Sequence, residues 1–233
     1  FERPCTLAVR ALDELLDYQD YPVLAAKNST MARRPLGVGI INLAYWLARN
    51  DLSYQHIDHD GLNKLHQYAE AWSYYLIKAS IDLAKEKGAC PKSNETKYSQ
   101  GMFPIYTYKR EVNELANPQC FLDWTLLITE ARQYGIRNST LMALMPSETS
   151  AQISNATNGI EPPRSLVSVK QSKDGVLKQV VPEVRKLKNK YDLLWDQTSP
   201  EGYLKIVAVL QKFIDQGISV NTSYNPKFYE DEK

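Results

Sequence analysis

The chain has 233 residues, which is long enough for one sizeable hydrophobic core or two smaller ones. Its 28 lysines and arginines nearly balance 27 aspartates and glutamates, leaving a net charge of +1. This balance argues against a nucleic-acid-binding protein that depends on a strongly basic surface. Hydrophobic residues make up 43% and charged residues 24% of the chain, values typical of globular proteins in water.

The cysteines and the N-terminal residues indicate a cellular compartment. Cys5, Cys90 and Cys120 are odd in number and show no CxxC spacing, so we expect a reducing, cytoplasmic setting and no disulfide framework. No apolar run reaches the roughly 18–20 residues that cross a bilayer, so no membrane partner is expected. The chain begins at Phe1 without a signal peptide and enters a helical pattern at once. We therefore expect a portion of a longer polypeptide.

The first half of the sequence is predicted to be mostly helical. Apolar residues recur at helical spacing in three stretches, and the second stretch is almost entirely apolar from Leu36 to Ala48, as in a buried helix. Gly88 and the lysines before it are typical of a helix C-terminus. A polar loop is predicted over residues 51–63. The predicted helices cover residues 5–22, 34–51 and 65–88.

Helices and short strands are predicted to alternate after residue 120. Lys173-Asp174-Gly175 lies between two alternating segments and gives the clearest hairpin signal in the chain. The other predictions are strands in 138–147 and 217–226, and helices in 122–134, from Thr149, in 182–196 and in 201–216. This alternation predicts an α/β layer arrangement with the first 90 residues packed around it. No linker separates a second domain, so one domain is expected over residues 1–233.

One stretch, "MPSETSAQISNATNGIEPPR" at residues 145–164, carries a chemical signal. It places hydroxyl side chains at the start of a helix that follows a buried strand. The first turn of a helix has N–H groups without intrahelical acceptors and carries the positive end of the helix dipole, so it suits a phosphate group. The alternative is a plain helix cap, in which Ser147 or Thr149 is the N-cap and Gln152 completes a capping box. Composition alone favours the cap.

The order of several motifs resembles one protein family along nearly the whole chain. The segments are "RRPLGVGIINLAYWLA", "KASIDLAKEKGACP", "GIRNSTL", "LMALMPSETSAQISNATNGIEPPR", "VSVKQSKDGVLKQVVP" and "LQKFIDQGISVNTSYNP". Together they resemble the large, catalytic subunit of class I ribonucleotide reductases, with phage or bacterial enzymes the nearest kind. The long Pro-Ser-Glu-Thr-Ser string is the most specific part of the resemblance.

The resemblance implies a fold, a reaction and a set of binding residues. The fold is α/β: part of a ten-stranded α/β barrel. The reaction reduces ribonucleoside diphosphates to 2′-deoxyribonucleoside diphosphates through a thiyl radical. Residues Pro146, Ser147, Glu148, Thr149 and Ser150 match the loop that holds the substrate diphosphate. The expected contacts are the backbone amides of Glu148, Thr149 and Ser150 and the hydroxyls of Ser147, Thr149 and Ser150.

The resemblance also implies that the remaining parts of the active site belong to other segments. The radical cysteine and the reducing cysteine pair match no motif here, so the expected partners include a cysteine-bearing remainder of the large subunit. Further expected partners are a small subunit with a di-iron tyrosyl-radical cofactor, thioredoxin or glutaredoxin, and dNTP or ATP effectors bound outside this chain. No cofactor, metal or nucleic acid is expected on this chain itself. The alternatives are a non-catalytic structural or regulatory module of the barrel and an unrelated enzyme with a phosphate ligand.

Three other patterns favour structural roles. Gly37-x-Gly39 lacks the third glycine of a dinucleotide fingerprint and is better explained by close helix packing. Tyr74-Tyr75 is predicted to be structural, because adjacent residues on a helix face different sides. A metal site is a weaker interpretation than solvated loop side chains for the group His56, Asp58, His59, Asp60 and His66.

Overall fold

The computed structural model describes residues 1–117, 119–172 and 175–224. Within these ranges the chain is mainly helical, with a single antiparallel β hairpin. The α helices are α1 (Glu2–Tyr18), α2 (Leu24–Arg33), α3 (Leu43–Arg49), α4 (His59–Lys87), α5 (Pro104–Thr107), α6 (Trp124–Tyr134), α7 (Glu148–Ile153), α8 (Val184–Leu187) and α9 (Glu201–Gln211). The hairpin strands are β1 (Val167–Ser172) and β2 (Gly175–Val180), paired from Val167 opposite Val180 to Ser172 opposite Gly175. Among the described residues, no helix has the length and apolarity needed to cross a membrane.

The chain forms two compact units. Among the described residues, the first unit lies within 1–38, 63–143 and 208–217, and the second lies within 39–62, 144–207 and 218–224. The first unit holds α1, α2, α5, α6 and most of α4. The second holds α3, α7, the hairpin and α8. The expectation of one barrel domain over the whole chain stays a prediction.

Several predicted elements are confirmed in place and type. Residues 5–22 lie largely in α1, residues 65–88 in α4, and residues 122–134 largely in α6. Gly135 ends α6 with a positive φ of 74°, and Gly88 follows α4 with a φ of 85°. The predicted hairpin forms β1 and β2, while Lys173 and Asp174 of its turn lie outside the described residues.

The predicted helix over residues 34–51 is wrong in its first half. Only Leu43–Arg49 is helical, whereas Val38 forms an isolated parallel bridge with Met142. The Val38 N–H donates to the Leu141 carbonyl at 2.8 Å, and the Ala143 N–H donates back to the Val38 carbonyl at 3.1 Å. Glycines weaken a helix and the residue before Pro35 is biased away from it, so pairing with another extended segment wins here. Gly37 and Gly39 therefore lie outside any helix, and the helix-packing explanation for them is wrong.

Other predicted boundaries also need correction. α2 was not predicted at all. The predicted strand 138–147 has strand pairing only at Met142, and the described residues 217–224 form no strand. The predicted helix 182–196 is reduced to α8 and a short 3-10 turn at Leu194–Asp196, and the helix predicted for 201–216 ends at Gln211.

A buried charge cluster stabilises the first unit around Asp13 of α1. Asp13 accepts hydrogen bonds from Arg34 Nε at 2.7 Å, from Arg137 Nε at 3.1 Å and from Asn138 Nδ2 at 2.9 Å. Asp13 has no exposed surface and Arg34 is only 4% exposed. Burial by itself would raise the pKa of Asp13, but the hydrogen bonds from Arg34, Arg137 and Asn138 outweigh it and lower that pKa below its ordinary value. The cluster therefore requires the carboxylate form.

Close packing in the second unit constrains the start of α9. A Cβ atom on Gly202 would lie 1.9 Å from the Tyr54 carbonyl oxygen, a distance that two heavy atoms cannot adopt. Tyr54 itself is 2% exposed, and its hydroxyl donates to the Ile160 carbonyl at 2.8 Å. Gly202 is thus required by the approach of a neighbouring backbone rather than by an unusual φ.

Replacing Asp13 with Asn is expected to lower the free energy of unfolding by about 3 kcal/mol, because the buried Arg34 then keeps only the half-exposed Asp17 as an anionic partner and Arg137 loses its ion pair with Asp13. The pKa of Asp13 is lowered in the folded state, so its stabilisation is present above the ordinary aspartate pKa and is lost as the pH falls through the folded-state pKa. Urea titrations at several pH values should show the deficit of Asp13→Asn shrinking below about pH 4. The neighbouring exposed residue supplies a control, Glu14→Gln, which should change stability by less than about 0.5 kcal/mol. A deficit that does not change with pH would contradict this account.

Gly202→Ala is expected to lower the free energy of unfolding by at least about 2 kcal/mol, because the methyl group forces the start of α9 away from Tyr54. Gly217→Ala is the matched control, since a methyl group added there would meet open space, with no atom beyond its chain neighbours within 4 Å. Urea unfolding of both variants measures the difference. Equal free energies of unfolding for the two variants would contradict the claim that the approach of Tyr54 requires a glycine at position 202.

Candidate functional site

The stretch over residues 145–164 forms a turn followed by a short helix, as predicted to within one residue. Ser147 is the N-cap residue of α7, and the first helical hydrogen bond runs from the Ala151 N–H to the Ser147 carbonyl at 2.8 Å. The N–H groups of Thr149 and Ser150 precede this bond and have no acceptor within the helix. They therefore contribute to the positive end of the helix dipole.

Ser147 is held by neighbouring groups of the loop. Its N–H donates to Asn158 Oδ1 at 2.7 Å and its hydroxyl donates to the Met145 carbonyl at 3.1 Å. Ser147 is 8% exposed and makes no side-chain cap hydrogen bond. Ser147 is thus the N-cap by position, but the capping box is not formed. Its predicted contact with a diphosphate stays a prediction.

The other predicted binding residues are on the surface. Pro146, Glu148, Thr149 and Ser150 are all exposed. Glu148 lines a neighbouring cleft together with Gln152, one helical turn later. Thr149 and Ser150 are not among the residues that line this cleft. The structure therefore brings the five residues together in one turn at the start of α7.

The cleft has a volume of about 540 Å³ and combines opposite charges with an aromatic side chain. Its described lining includes two carboxylates, Glu148 and Glu161, and the guanidinium group of Arg164. Trp195 lies on the lining and is 62% exposed. Sequence reasoning missed Glu161, Arg164 and Trp195 as neighbours of α7. The Pro162-Pro163 pair between Glu161 and Arg164 was the sequence feature that indicated a conformationally restricted loop there.

The return segment after α7 is anchored by several hydrogen bonds within the second unit. The Thr157 N–H donates to Asn42 Oδ1 at 2.9 Å, and the Asn42 N–H donates to the Thr157 carbonyl at 3.0 Å. The Leu43 N–H donates to the Gly159 carbonyl at 3.3 Å. Asn158, between these anchored residues, is the one whose side chain contacts Ser147. The sequence shows the Asn-Gly dipeptide at 158–159, but it does not show that Asn158 contacts Ser147.

The histidines do not form a shared site. His56 and His59 are exposed, whereas His66 lies in α4 and is 2% exposed, so its prediction as a solvated loop residue is wrong. His66 Nε2 lies 2.8 Å from Lys212 Nζ. Burial and the nearby Lys212 lower the pKa of His66 to about 4, which keeps it neutral near pH 7. No group of three or more His, Cys, Asp or Glu side chains suited to a metal occurs in the described ranges.

The adjacent tyrosines have structural surroundings. Tyr74 is 8% exposed, and its ring packs edge-on against Trp124 with 5.4 Å between ring centroids. The rings of Tyr74 and Tyr75 also contact each other at 5.4 Å, at an interplanar angle of 85°. The two side chains are thus neighbours rather than separated on opposite sides of α4.

The cysteines are free thiols in separate surroundings. Cys5 and Cys90 are buried, and burial raises the pKa of each. Burial and the neighbouring Glu70 raise the pKa of Cys120 to about 11. Each therefore stays protonated near pH 7, which is the less nucleophilic form of the group.

Comparison with known proteins places this geometry in a family. Residues 1–191 match the family described as "Ribonucleotide reductase, barrel domain". The chain is 58% identical over 226 residues to the ribonucleoside-diphosphate reductase subunit alpha of Haemophilus influenzae, covering 97% of this chain and 30% of that protein. It is 57% identical over 228 residues to the corresponding subunit of Buchnera aphidicola from Schizaphis graminum, covering 98% and 30%.

A third relative gives the same result. The ribonucleoside-diphosphate reductase 1 subunit alpha of Escherichia coli is 55% identical over 218 residues, covering 94% of this chain and 28% of that protein. The chain thus spans about 30% of the length of the curated relatives that it matches. The family match covers well over half of the chain, from α1 to α8. The chain belongs to the ribonucleotide reductase barrel-domain family.

Proposed function

We propose that this chain supplies the diphosphate-binding part of a ribonucleoside-diphosphate reductase alpha subunit. The reaction replaces the 2′-hydroxyl of a ribonucleoside diphosphate by hydrogen, through thiyl-radical chemistry on cysteines outside this chain. Pro146, Ser147, Glu148, Thr149 and Ser150 form the cradle for the diphosphate. The observation that carries the proposal is the position of these residues at the N-terminus of α7, within the region matched to the family.

The electrostatics of the loop support a phosphate ligand. The N–H groups at the start of α7 form the positive end of its dipole. Thr149 and Ser150 add exposed hydroxyl donors beside these amides. Glu148 lines the neighbouring cleft together with Gln152, and its expected contribution to the cradle is its backbone N–H rather than its carboxylate. Such a loop binds an anion mainly through its backbone and hydroxyl groups.

The work of this chain in the proposed reaction is positioning. Anchoring the diphosphate fixes the ribose at one distance from the reacting cysteine. The two reacting groups are then held in one geometry and need not meet by diffusion. The proton and electron transfers belong to groups in the rest of the subunit. Cys5, Cys90 and Cys120 are assigned no part in the reaction, because none of them lies in a motif that matches the reactive cysteines of the family.

The proposal includes the fold and the partners of the whole enzyme. The chain forms part of a ten-stranded α/β barrel that is completed by the cysteine-bearing remainder of the large subunit. A small subunit with a di-iron tyrosyl-radical cofactor generates the radical, and thioredoxin or glutaredoxin restores the reduced cysteines. The effectors dNTP and ATP bind outside this chain. Within the described ranges no side-chain cluster fits a di-iron centre, so we assign none of its chemistry to these residues.

Thr149→Val is expected to weaken binding of a ribonucleoside diphosphate about tenfold, because a methyl group replaces a hydroxyl donor to a charged phosphate. The measurement is calorimetric titration with the ribonucleoside diphosphate. The sample is this chain mixed with a fragment of a relative's alpha subunit, which contains the segments that precede the region aligned with this chain. Thr129→Val is the matched control, since Thr129 is an exposed residue of α6 whose hydroxyl donates to the Thr125 carbonyl. The control should bind like the unsubstituted chain.

The same mixture tests the function itself. The unsubstituted chain with its complement should bind nucleoside diphosphates more tightly than monophosphates. No preference for diphosphates, or full reductase turnover by the 233-residue chain alone, would overturn the proposed function.

A further inference from the structure

The turn before α7 depends on one side chain from the return segment. The Ser147 N–H donates to Asn158 Oδ1 at 2.7 Å, although eleven positions separate the two residues. This bond is made at the N-cap residue, where the chain direction into the helix is set. The orientation of the following N–H groups, at Thr149 and Ser150, therefore depends on where Asn158 lies.

Asn158 is itself fixed on both sides. Thr157 exchanges two hydrogen bonds with Asn42, at 2.9 and 3.0 Å, and the Gly159 carbonyl accepts from the Leu43 N–H at 3.3 Å. Gly159 has a φ of 47°, and a Cβ atom there would lie 3.3 Å from the Met145 carbonyl oxygen. The return segment thus lies directly against the turn that it orients.

We propose that Asn158 is a positioning residue for the diphosphate cradle, with Asn42 as its support. The Asn158 carboxamide oxygen orients the turn, so that the amides and hydroxyls at Thr149 and Ser150 converge on one phosphate group. This inference rests on the proposed function, because it assigns a role within the same site. Asn158 acts through Ser147 and needs no contact with the ligand.

Asn158→Leu tests the inference, since leucine has the same number and branching of side-chain heavy atoms as asparagine but no acceptor oxygen. The Ser147 amide should exchange its hydrogen with solvent at least about tenfold faster in this variant, as measured by NMR or mass spectrometry. In the mixture with the complementing fragment, affinity for a ribonucleoside diphosphate should fall about tenfold. The ratio of diphosphate to monophosphate affinity should fall as well, whereas general damage to the fold would weaken both ligands equally.

Two further variants make the test specific. Asn158→Asp retains an acceptor oxygen, so the Ser147 amide should stay as protected as in the unsubstituted chain. Asn94→Leu is the matched control for the substitution, because Asn94 is exposed and lies in a different part of the chain. It should change neither the exchange rate nor the ratio of affinities.

Unchanged Ser147 exchange and unchanged diphosphate selectivity in Asn158→Leu would overturn the inference. This outcome differs from failure of the proposed function, in which the unsubstituted chain itself shows no preference for diphosphates. If the proposed function fails in this way, the hydrogen-exchange rate of the Ser147 amide still tests whether Asn158 orients the turn.

Discussion

The hydrogen bond between the Ser147 N–H and the Asn158 carboxamide is the interaction on which the candidate site depends. A helix of six residues is too short to be stable by its own propensity, so tertiary contacts must fix where it begins. Here the contact comes from the segment that follows the helix and returns beside it. The start of α7 is therefore a property of the folded loop rather than of its first turn alone.

The proposed cradle, Pro146–Ser150, contains no lysine or arginine, so in this account the anion is bound by backbone and hydroxyl groups. Backbone amides are fixed in place by the fold, whereas long cationic side chains must lose rotamer freedom to bind. A backbone cradle at a helix N-terminus thus provides geometry as well as charge. Glu148 lines the neighbouring cleft, and the same cleft is also lined by the cationic residue Arg164.

The sequence patterns correctly predicted those helices and strands whose formation depends on interactions within one segment. The helical periodicity found α1, α4 and α6, and the alternation around Gly175 found the hairpin, because each pattern is complete within one segment. The apolar residues from Leu36 to Asn42 led to a wrong helix prediction. They lie in a non-helical stretch that is hydrogen-bonded to Leu141. That partner is distant in the sequence and leaves no local trace. Asn158 was not recognised for the same reason, because its contact with Ser147 spans eleven positions in the sequence.

The family resemblance identified Pro146–Ser150 as the proposed diphosphate cradle, and the structure distinguishes the residues within it. Ser147 is buried and bonded to Met145, whereas Thr149 and Ser150 are exposed. Sequence alone assigned all three hydroxyls the same role, because side-chain burial in a turn depends on the return segment. The most direct test is a structure of the chain with its complementing fragment and a bound ribonucleoside diphosphate. The account predicts phosphate density within hydrogen-bonding distance of the Thr149 and Ser150 amides, and density for the diphosphate at any other place would contradict it.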